Sequence, residues 1–421
     1  MTVKNLLFKN SRSLKYFIFS LTCVVFAVML TSCEQNPTAP NEPPKPPGYQ
    51  EDIYWPSLAD SPWPMNHHDP QNTGRGTCIG PQEGIINWKF NGLYIEAAPV
   101  MANDSILYFT ETGAIHSLNI NSKLNWTYNT NSQLIMTPLI SKDGTVYFAS
   151  FAQNSFLIAL FSDSTEKWKI DLGKFINPFM INMDKEGNIY VVAEKTLFCV
   201  SPSNQIIWSI EDIRINEGGN GISFSPDGAT LYIPGISVSV LAVDISTRTI
   251  KWEFGDKTLS APPSIDNSGN LYFVPLSNTD IDSLAFLFSI NDEGSQNWKY
   301  PFIYQPLTGL NLKSPTIDLY GNIYFATDTL YSLKYNGEIN WVKPLVGICD
   351  CPLVCDLNSN VYVATQSGEE GKIFVYCFDF WGNKKWSIDI TEQQVGLSPA
   401  LIKAGEMLFC AWRGFNLYNI K

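Results

Sequence analysis

The chain has 421 residues, 45% hydrophobic and 13% aromatic, with 40 acidic against 28 basic side chains and a net charge of −12. That supply of apolar surface suffices for a large core, while a net negative surface with no basic stripe repels phosphate backbones and argues against nucleic acid as a partner. No stretch of any length repeats at helical period, so the expected class is all-β.

Lys4, Lys9, Arg12 and Lys15 precede a mainly apolar run from Tyr16 to Leu30. The run is shorter than the roughly 18–20 residues a membrane span requires, and it reads as a secretion signal. It closes on Leu30-Thr31-Ser32-Cys33, which resembles the lipobox of bacterial lipoproteins. Residues 1–32 are therefore expected to be a signal peptide, and Cys33 the lipidated residue that begins the mature chain. Several acyl chains on one residue hold a protein stably on a bilayer. Losing the four basic residues of the signal leaves 24 of the 28 bases against 40 acids.

Residues 33–50 carry Pro37, Pro40, Pro43, Pro44, Pro46 and Pro47. Such a segment favours extended polyproline II and acts as a semi-rigid spacer. Residues 51–85 are expected to dock the entering chain beneath the folded body, and residues 86–421 to form that body.

Within the body, Trp88, Trp126, Trp168, Trp208, Trp252, Trp298, Trp341 and Trp386 recur 38 to 46 residues apart. Between them one phrase returns: Pro opens an apolar strand, a Gly-bearing turn leads to an aromatic strand, and a third strand and a second turn lead to Trp. The openings are Pro99, Pro138, Pro178, Gly221, Pro263, Pro315, Pro352 and Pro399, and the aromatics run from Tyr108 to Phe409. Four short strands in about 40 to 45 residues match one blade of a β-propeller. Short apolar first strands such as Leu139-Ile140 and Leu353-Val354 read as covered on both sides and lining the central channel. The tryptophans are read as residues that dock one blade against the next. Trp381 and Trp412 fall off this register and read as rim residues.

Counting gives the closure. Pro399 opens a unit with room for three strands and no repeat Trp, whereas Trp88 in Ile86-Asn87-Trp88-Lys89-Phe90 has no strands before it. The expectation is an eight-bladed propeller whose last blade is completed by Ile86–Phe90, which leaves no free edge at the seam.

The repeat phrase, together with Trp63-Pro64-Met65-Asn66-His67-His68-Asp69-Pro70-Gln71-Asn72-Thr73-Gly74, resembles proteins with pyrroloquinoline-quinone-like β-propeller repeats. Ala242 to Trp252 looks like that family's tryptophan-docking motif, with Arg248 where Gly is usual. The resemblance implies eight blades but no activity, because sites are grafted on folds. It extends to the lipoprotein propeller subunit of the bacterial outer-membrane β-barrel assembly machinery. A non-catalytic, lipid-anchored envelope scaffold or binding module is thus expected, acting on other envelope proteins through loops and channel rim, with the membrane touched only through the lipid. The alternatives are a quinone-dependent dehydrogenase and a ligand or glycan sensor. Family dehydrogenases clamp the quinone on adjacent cysteines beside calcium, but here Asp350 separates Cys349 from Cys351, and no cofactor or metal is expected.

Besides Cys23 and Cys33 there remain Cys78, Cys199, Cys349, Cys351, Cys355, Cys377 and Cys410, an odd number whose pairing the sequence leaves open. Cys355 and Cys377 fall on the first and third strands of one blade, about 9.5 Å apart and beyond a disulfide's reach. Cys349-Asp350-Cys351 with Cys355 is the one cluster of soft ligands, and it lacks a zinc spacing. His67, His68 and Asp69 read as part of the docking segment, His116 as structural, and the acids at Asp143, Asp227, Asp266, Asp292 and Asp318 as turn residues.

Overall fold

Short apolar runs separated by Gly- and Asp-bearing turns fold as antiparallel strands, and these gather into eight sheets. The computed structural model describes residues 45–421 except 93, 104, 131–132, 135, 152–154, 174–180, 217–220, 277–282, 305–312, 368–371, 392–396, 404, 412–413 and 415. Cys33, the signal segment, Pro178 and Trp412 lie outside the described residues. Pro47–Lys421 forms one compact unit, and its described residues contain no helix.

The first seven blades cover residues 95–129, 133–171, 182–211, 223–254, 264–304, 316–344 and 354–391, each with strands paired in chain order. Blade 2 holds an extra short strand, Gln133–Leu134, beside its second strand. In blade 1 the first strand is longer than Pro99 suggested, running from Ile95 to Asn103 with register shifts that absorb the proline. The eighth blade contains Ala400–Lys403, Glu406–Cys410 and Asn416–Ile420, and its fourth strand is Ile86–Asn91. Ile86 opposes Ile420 and Asn91 opposes Asn416. The architecture is an eight-bladed propeller closed by the N-terminal outer strand.

First strands of successive blades lie beside one another, as Ser223–Phe224 does with Ser264–Ile265 and Thr316–Ile317 with Val354–Cys355. They are the innermost strands, and all eight of those residues are buried. Fourth strands alternate exposed and half-buried residues, as expected of outer strands with one covered face.

A repeat Trp joins two units in six cases, Trp126, Trp168, Trp252, Trp298, Trp341 and Trp386. Its ring packs on the aromatic of its own blade, with centroids 5.5 Å apart for Tyr108–Trp126 and 5.9 Å for Tyr362–Trp386. Its indole N–H reaches the third-to-fourth turn of the next blade: Trp126 donates to the Ser162 carbonyl at 2.9 Å, Trp168 to Pro202 at 2.8 Å and Trp341 to Phe380 at 2.9 Å. At the seam Trp386 donates to Pro81, just before the closing strand, at 3.1 Å. The Trp88 Nε1 has no hydrogen-bond partner.

Four blades share a second device. In the first turns, Asp184, Asp266, Asp318 and Asp356 each accept two backbone N–H bonds through Oδ1. Through Oδ2 each accepts from an Asn amide four residues on and a Tyr hydroxyl six residues on. The pattern Asp-x-x-x-Asn-x-Tyr thus ties the turn to the aromatic strand, and it accounts for acids that turn chemistry alone explained only in part.

Candidate functional site

In a four-stranded antiparallel blade, the first-to-second and third-to-fourth turns share one face of the ring. Residues 48–59 form a strap over that face. The Gln50 N–H donates to the Leu319 carbonyl on blade 6 at 2.8 Å, and its Oε1 accepts from the Asn267 N–H on blade 5 at 2.8 Å. Trp55 Nε1 donates to Met183 on blade 3 at 2.8 Å, and the Lys142 N–H on blade 2 donates to Ser57 at 2.7 Å. Docking therefore begins by Gly48, slightly before residue 51, and Gln50 is buried.

Beneath the strap, residues 63–80 circle the channel end as a plug. Met101, Ile140, Phe224, Ile265, Ile317 and Cys355, each on a first strand, donate backbone N–H bonds to the carbonyls of Trp63, Pro64, Pro70, Gln71, Thr73 and Gly74 at 2.8–3.0 Å. At blade 3 the Asn182 side chain serves instead, its Nδ2 donating to Pro70 at 3.1 Å while its Oδ1 accepts from the Met183 N–H at 2.8 Å. Blade 8 joins through Gly405, whose N–H donates to Ile79 at 2.7 Å. The orphan N–H groups at the ends of the inner strands are thereby satisfied.

Following so tight a circle takes unusual backbone. His67, His68, Asn72 and Gly74 all have positive φ, a conformation that costs most side chains of order 1–3 kcal/mol and needs surrounding structure to hold it. At Gly74 a Cβ would stand 2.4 Å from His67 Nε2, so glycine is required for the close approach as well as for its φ of 67°.

His67 is fully buried, with Nδ1 2.8 Å from the Asn72 carbonyl and Nε2 2.9 Å from the Leu353 carbonyl. Burial lowers its pKa, outweighing those hydrogen bonds and the nearby Asp69 charge. Asp69 accepts from the Thr73 N–H at 3.0 Å and from the Thr73 hydroxyl. Burial works against its carboxylate, yet His68, Arg75 and Thr73 together hold its pKa below the ordinary carboxylate value. His67 and Asp69 therefore hold the plug's turn, as the docking reading implied: Asp69 through contacts within the plug, and His67 through Asn72 inside it and the Leu353 carbonyl at the start of blade 7.

Between strap and plug lies a cavity of about 440 Å³, with Trp55, Leu58 and Pro64 among its apolar walls and Asp52, His68 and Arg75 among its polar ones. Arg75 is 5% exposed. Its Nη2 donates to the Glu51 carbonyl at 3.3 Å and lies 3.7 Å from Asp52, but Nε and Nη1 have no hydrogen-bond partner. Neither the cavity nor this arginine was singled out by the sequence; its only signal was one basic residue inside an otherwise uncharged stretch after Asp69.

Elsewhere, His116 links the Glu111 carboxylate, 2.8 Å from Nε2, to the Thr127 hydroxyl, 2.9 Å from Nδ1, and stacks on Phe109. Its three partners are on strands of blade 1, consistent with a structural role. Cys349, Cys351 and Cys355 are buried free thiols. The contact with Cys349 together with burial pushes the Cys351 thiol well up, and burial does the same at Cys355. Among the described residues no group of three or more His, Cys, Asp or Glu side chains is placed to hold a metal. Trp381 is exposed beside the turn at Gly382.

The opposite face presents apolar strand ends and loops. Ile213 is 75% exposed, Ile303 64%, Val346 59%, Leu284 54% and Tyr94 49%. Leu284 and Ile303 face each other across the long hairpin of blade 5.

No protein-family model and no curated protein matches the chain. Solved structures do. BamB from Moraxella catarrhalis aligns at 14% identity and a TM-score of 0.61, covering 80% of this chain and 99% of that one. Quinohemoprotein alcohol dehydrogenase from Comamonas testosteroni aligns at 12% and 0.62, covering 85% and 80%. A europium-containing methanol dehydrogenase aligns at 10% and 0.59, covering 83% and 89%. At these identities the likeness is one of fold, and it extends equally to a BamB and to dehydrogenases.

Proposed function

We propose that this chain is a non-catalytic scaffold or binding module of the bacterial cell envelope, held on a membrane, with the outer membrane favoured, through a lipid on Cys33. It binds other envelope proteins through the loop face opposite the plug. The observation that carries the reading is the difference between the two faces. One is covered by the chain's own strap and plug, whereas the other carries Tyr94, Ile213, Leu284, Ile303 and Val346 at exposed positions. Tyr54 and Trp381 are exposed on the plug face too. What distinguishes the opposite face is that its exposed apolar side chains lie outside the cover of strap and plug, as those of a protein contact surface do. Assembly of outer-membrane proteins is the process that the resemblance to the lipoprotein propeller subunit suggests.

The quinone-dependent dehydrogenase is the competing reading, and the shared fold does not choose between the two. Against it stands the sequence itself, in which no two cysteines are adjacent. Photo-crosslinking residues placed at Ile213, Leu284 and Ile303 in cells test the proposal, with Trp381 on the other side of the ring as control. Discrete adducts with envelope proteins from the first three positions support it. Their absence, or uptake of quinone and calcium by the purified chain with oxidation of an alcohol, overturns it.

A further inference from the structure

Turn tips on the strap face are polar in most blades, and blades 6 and 7 depart from that rule. In the first-to-second turns, Lys142-Asp143, Lys185-Glu186 and Asn267-Ser268 in blades 2, 3 and 5 are answered by Leu319-Tyr320 in blade 6. In the third-to-fourth turns, the residue before the positive-φ position is polar from Asn121 in blade 1 to Asn336 in blade 6, but it is Trp381 in blade 7. The same turn is made either way, so folding does not require these aromatic tips.

The aromatics converge. The Tyr320 ring lies 6.2 Å from Tyr49 and 5.3 Å from Phe380, which packs edge-on against Trp381 at 4.9 Å. Trp381 is 73% exposed, Tyr320 42% and Tyr335 40%. The turns beneath them are held in place: the Tyr335 and Phe380 carbonyls accept the indole N–H groups of Trp298 and Trp341 at 3.1 and 2.9 Å, and Asp379 accepts the Trp381 N–H at 2.9 Å.

The chain enters the folded unit at the same place. Gly48 lies so close to Tyr335 that a Cβ on it would stand 2.6 Å from the ring, and the next residue is Tyr49 of the patch. From Cys33 to Gly48 the chain spans at most roughly 50 Å even fully extended. A lipid on Cys33 therefore tethers the ring at this patch and not at another part of its rim. Trp and Tyr, each an apolar ring with a polar tip, are the side chains that settle at a membrane–water interface. With a net charge of −12, the chain suits zwitterionic headgroups, since anionic ones repel it.

We propose that Trp381, Phe380, Tyr320, Tyr335 and Tyr49 form a second membrane contact, which settles on a zwitterionic bilayer and turns the strap face toward the membrane. This goes beyond attachment through the lipid alone, and it leaves the opposite face free for partners. It rests on the anchor at Cys33 proposed above, and the experiment separates the two.

The mature lipidated chain, purified in detergent, is reconstituted on preformed phosphatidylcholine vesicles with and without bromine on the acyl chains, which quenches indoles that reach the bilayer. The natural chain is expected to float with the vesicles and to lose emission on the brominated lipid. Trp381→Phe, at an exposed position, is expected to float as before and to remove most of that loss. Ile213→Trp in the Trp381→Phe chain moves the reporter to the opposite face and is expected to restore none of it. Floating without quenching, quenching undiminished by Trp381→Phe, or equal quenching through Ile213→Trp would each overturn the contact while the anchor stands. Failure to float would overturn anchor and contact together.

Discussion

Ile85 and Lys421 exchange two backbone hydrogen bonds, each 2.9 Å long, and so clasp the two ends of the ring together. The clasp extends into the pairing of Ile86–Asn91 with Asn416–Ile420, which leaves blade 8 without a gap at the seam. A chain shortened by residues 416–421 loses an interior strand of that blade and strands its partner. Its thermal transition, followed by circular dichroism, is expected to broaden and fall by at least roughly 10 °C. An unchanged transition would mean that the seam contributes little.

The Asp-x-x-x-Asn-x-Tyr network makes a paired prediction. Tyr324 donates to Asp318 Oδ2 at 2.9 Å, and burial raises the pKa of that carboxyl, so Tyr324→Phe leaves a buried acid short of a donor. The expected cost is about 2 kcal/mol in denaturant unfolding. Tyr232 sits at the same repeat position with no partner for its hydroxyl. Tyr232→Phe is expected to change stability by less than about 0.5 kcal/mol, or to raise it. Equal losses would show that the network is energetically idle.

Blade-to-blade docking can be probed at Gly337, where φ is +86° and a Cβ would stand 2.7 Å from Trp298 Cδ2. Gly337→Ala combines backbone strain with displacement of the indole, for an expected loss of about 2–4 kcal/mol. Gly144 has a similar φ of +81° but nothing within 4 Å. Gly144→Ala is expected to cost only the backbone part, about 1 kcal/mol. If the two variants melt together, the Trp contact does not restrain the turn.

The buried His67 sets a pH dependence. Its folded pKa lies below the ordinary 6.5, so at neutral pH the ring is uncharged in both folded and unfolded chains and imposes no penalty. As the pH falls below about 6.5 the unfolded chain takes up a proton that the folded chain resists, and stability is lost until the folded pKa is reached. Melting temperatures between pH 7.5 and 5 should therefore fall more steeply for the natural chain than for His67→Gln. Parallel slopes would assign the acid sensitivity elsewhere.

Architecture was readable because one constraint repeats: each blade needs an indole against the next blade's turn, so Trp126, Trp168 and Trp341 recur in step and the unpaired Trp88 reveals the closure. Tyr190, Tyr272, Tyr324 and Tyr362 were visible as aromatics, but their link to Asp184, Asp266, Asp318 and Asp356 depends on a pairing within the turn that the strand count does not use. The plug was legible only as a phrase. Its circular course follows from hydrogen bonds between residues far apart in sequence, such as Thr73 with Ile317 and Gly74 with Cys355. The Arg75 cavity was invisible for the same reason, since it exists only where the strap passes over the plug.

The plug is the central structural claim, and native-state hydrogen exchange at six amides tests it most directly. Met101, Ile140, Phe224, Ile265, Ile317 and Cys355 donate to the plug. If it is integral to the fold, these amides exchange as slowly as second-strand amides such as Phe148 and Val363 and open only with the whole ring. Exchange of all six within minutes, while the second strands stay protected, would show that the channel end is open and contradict the account.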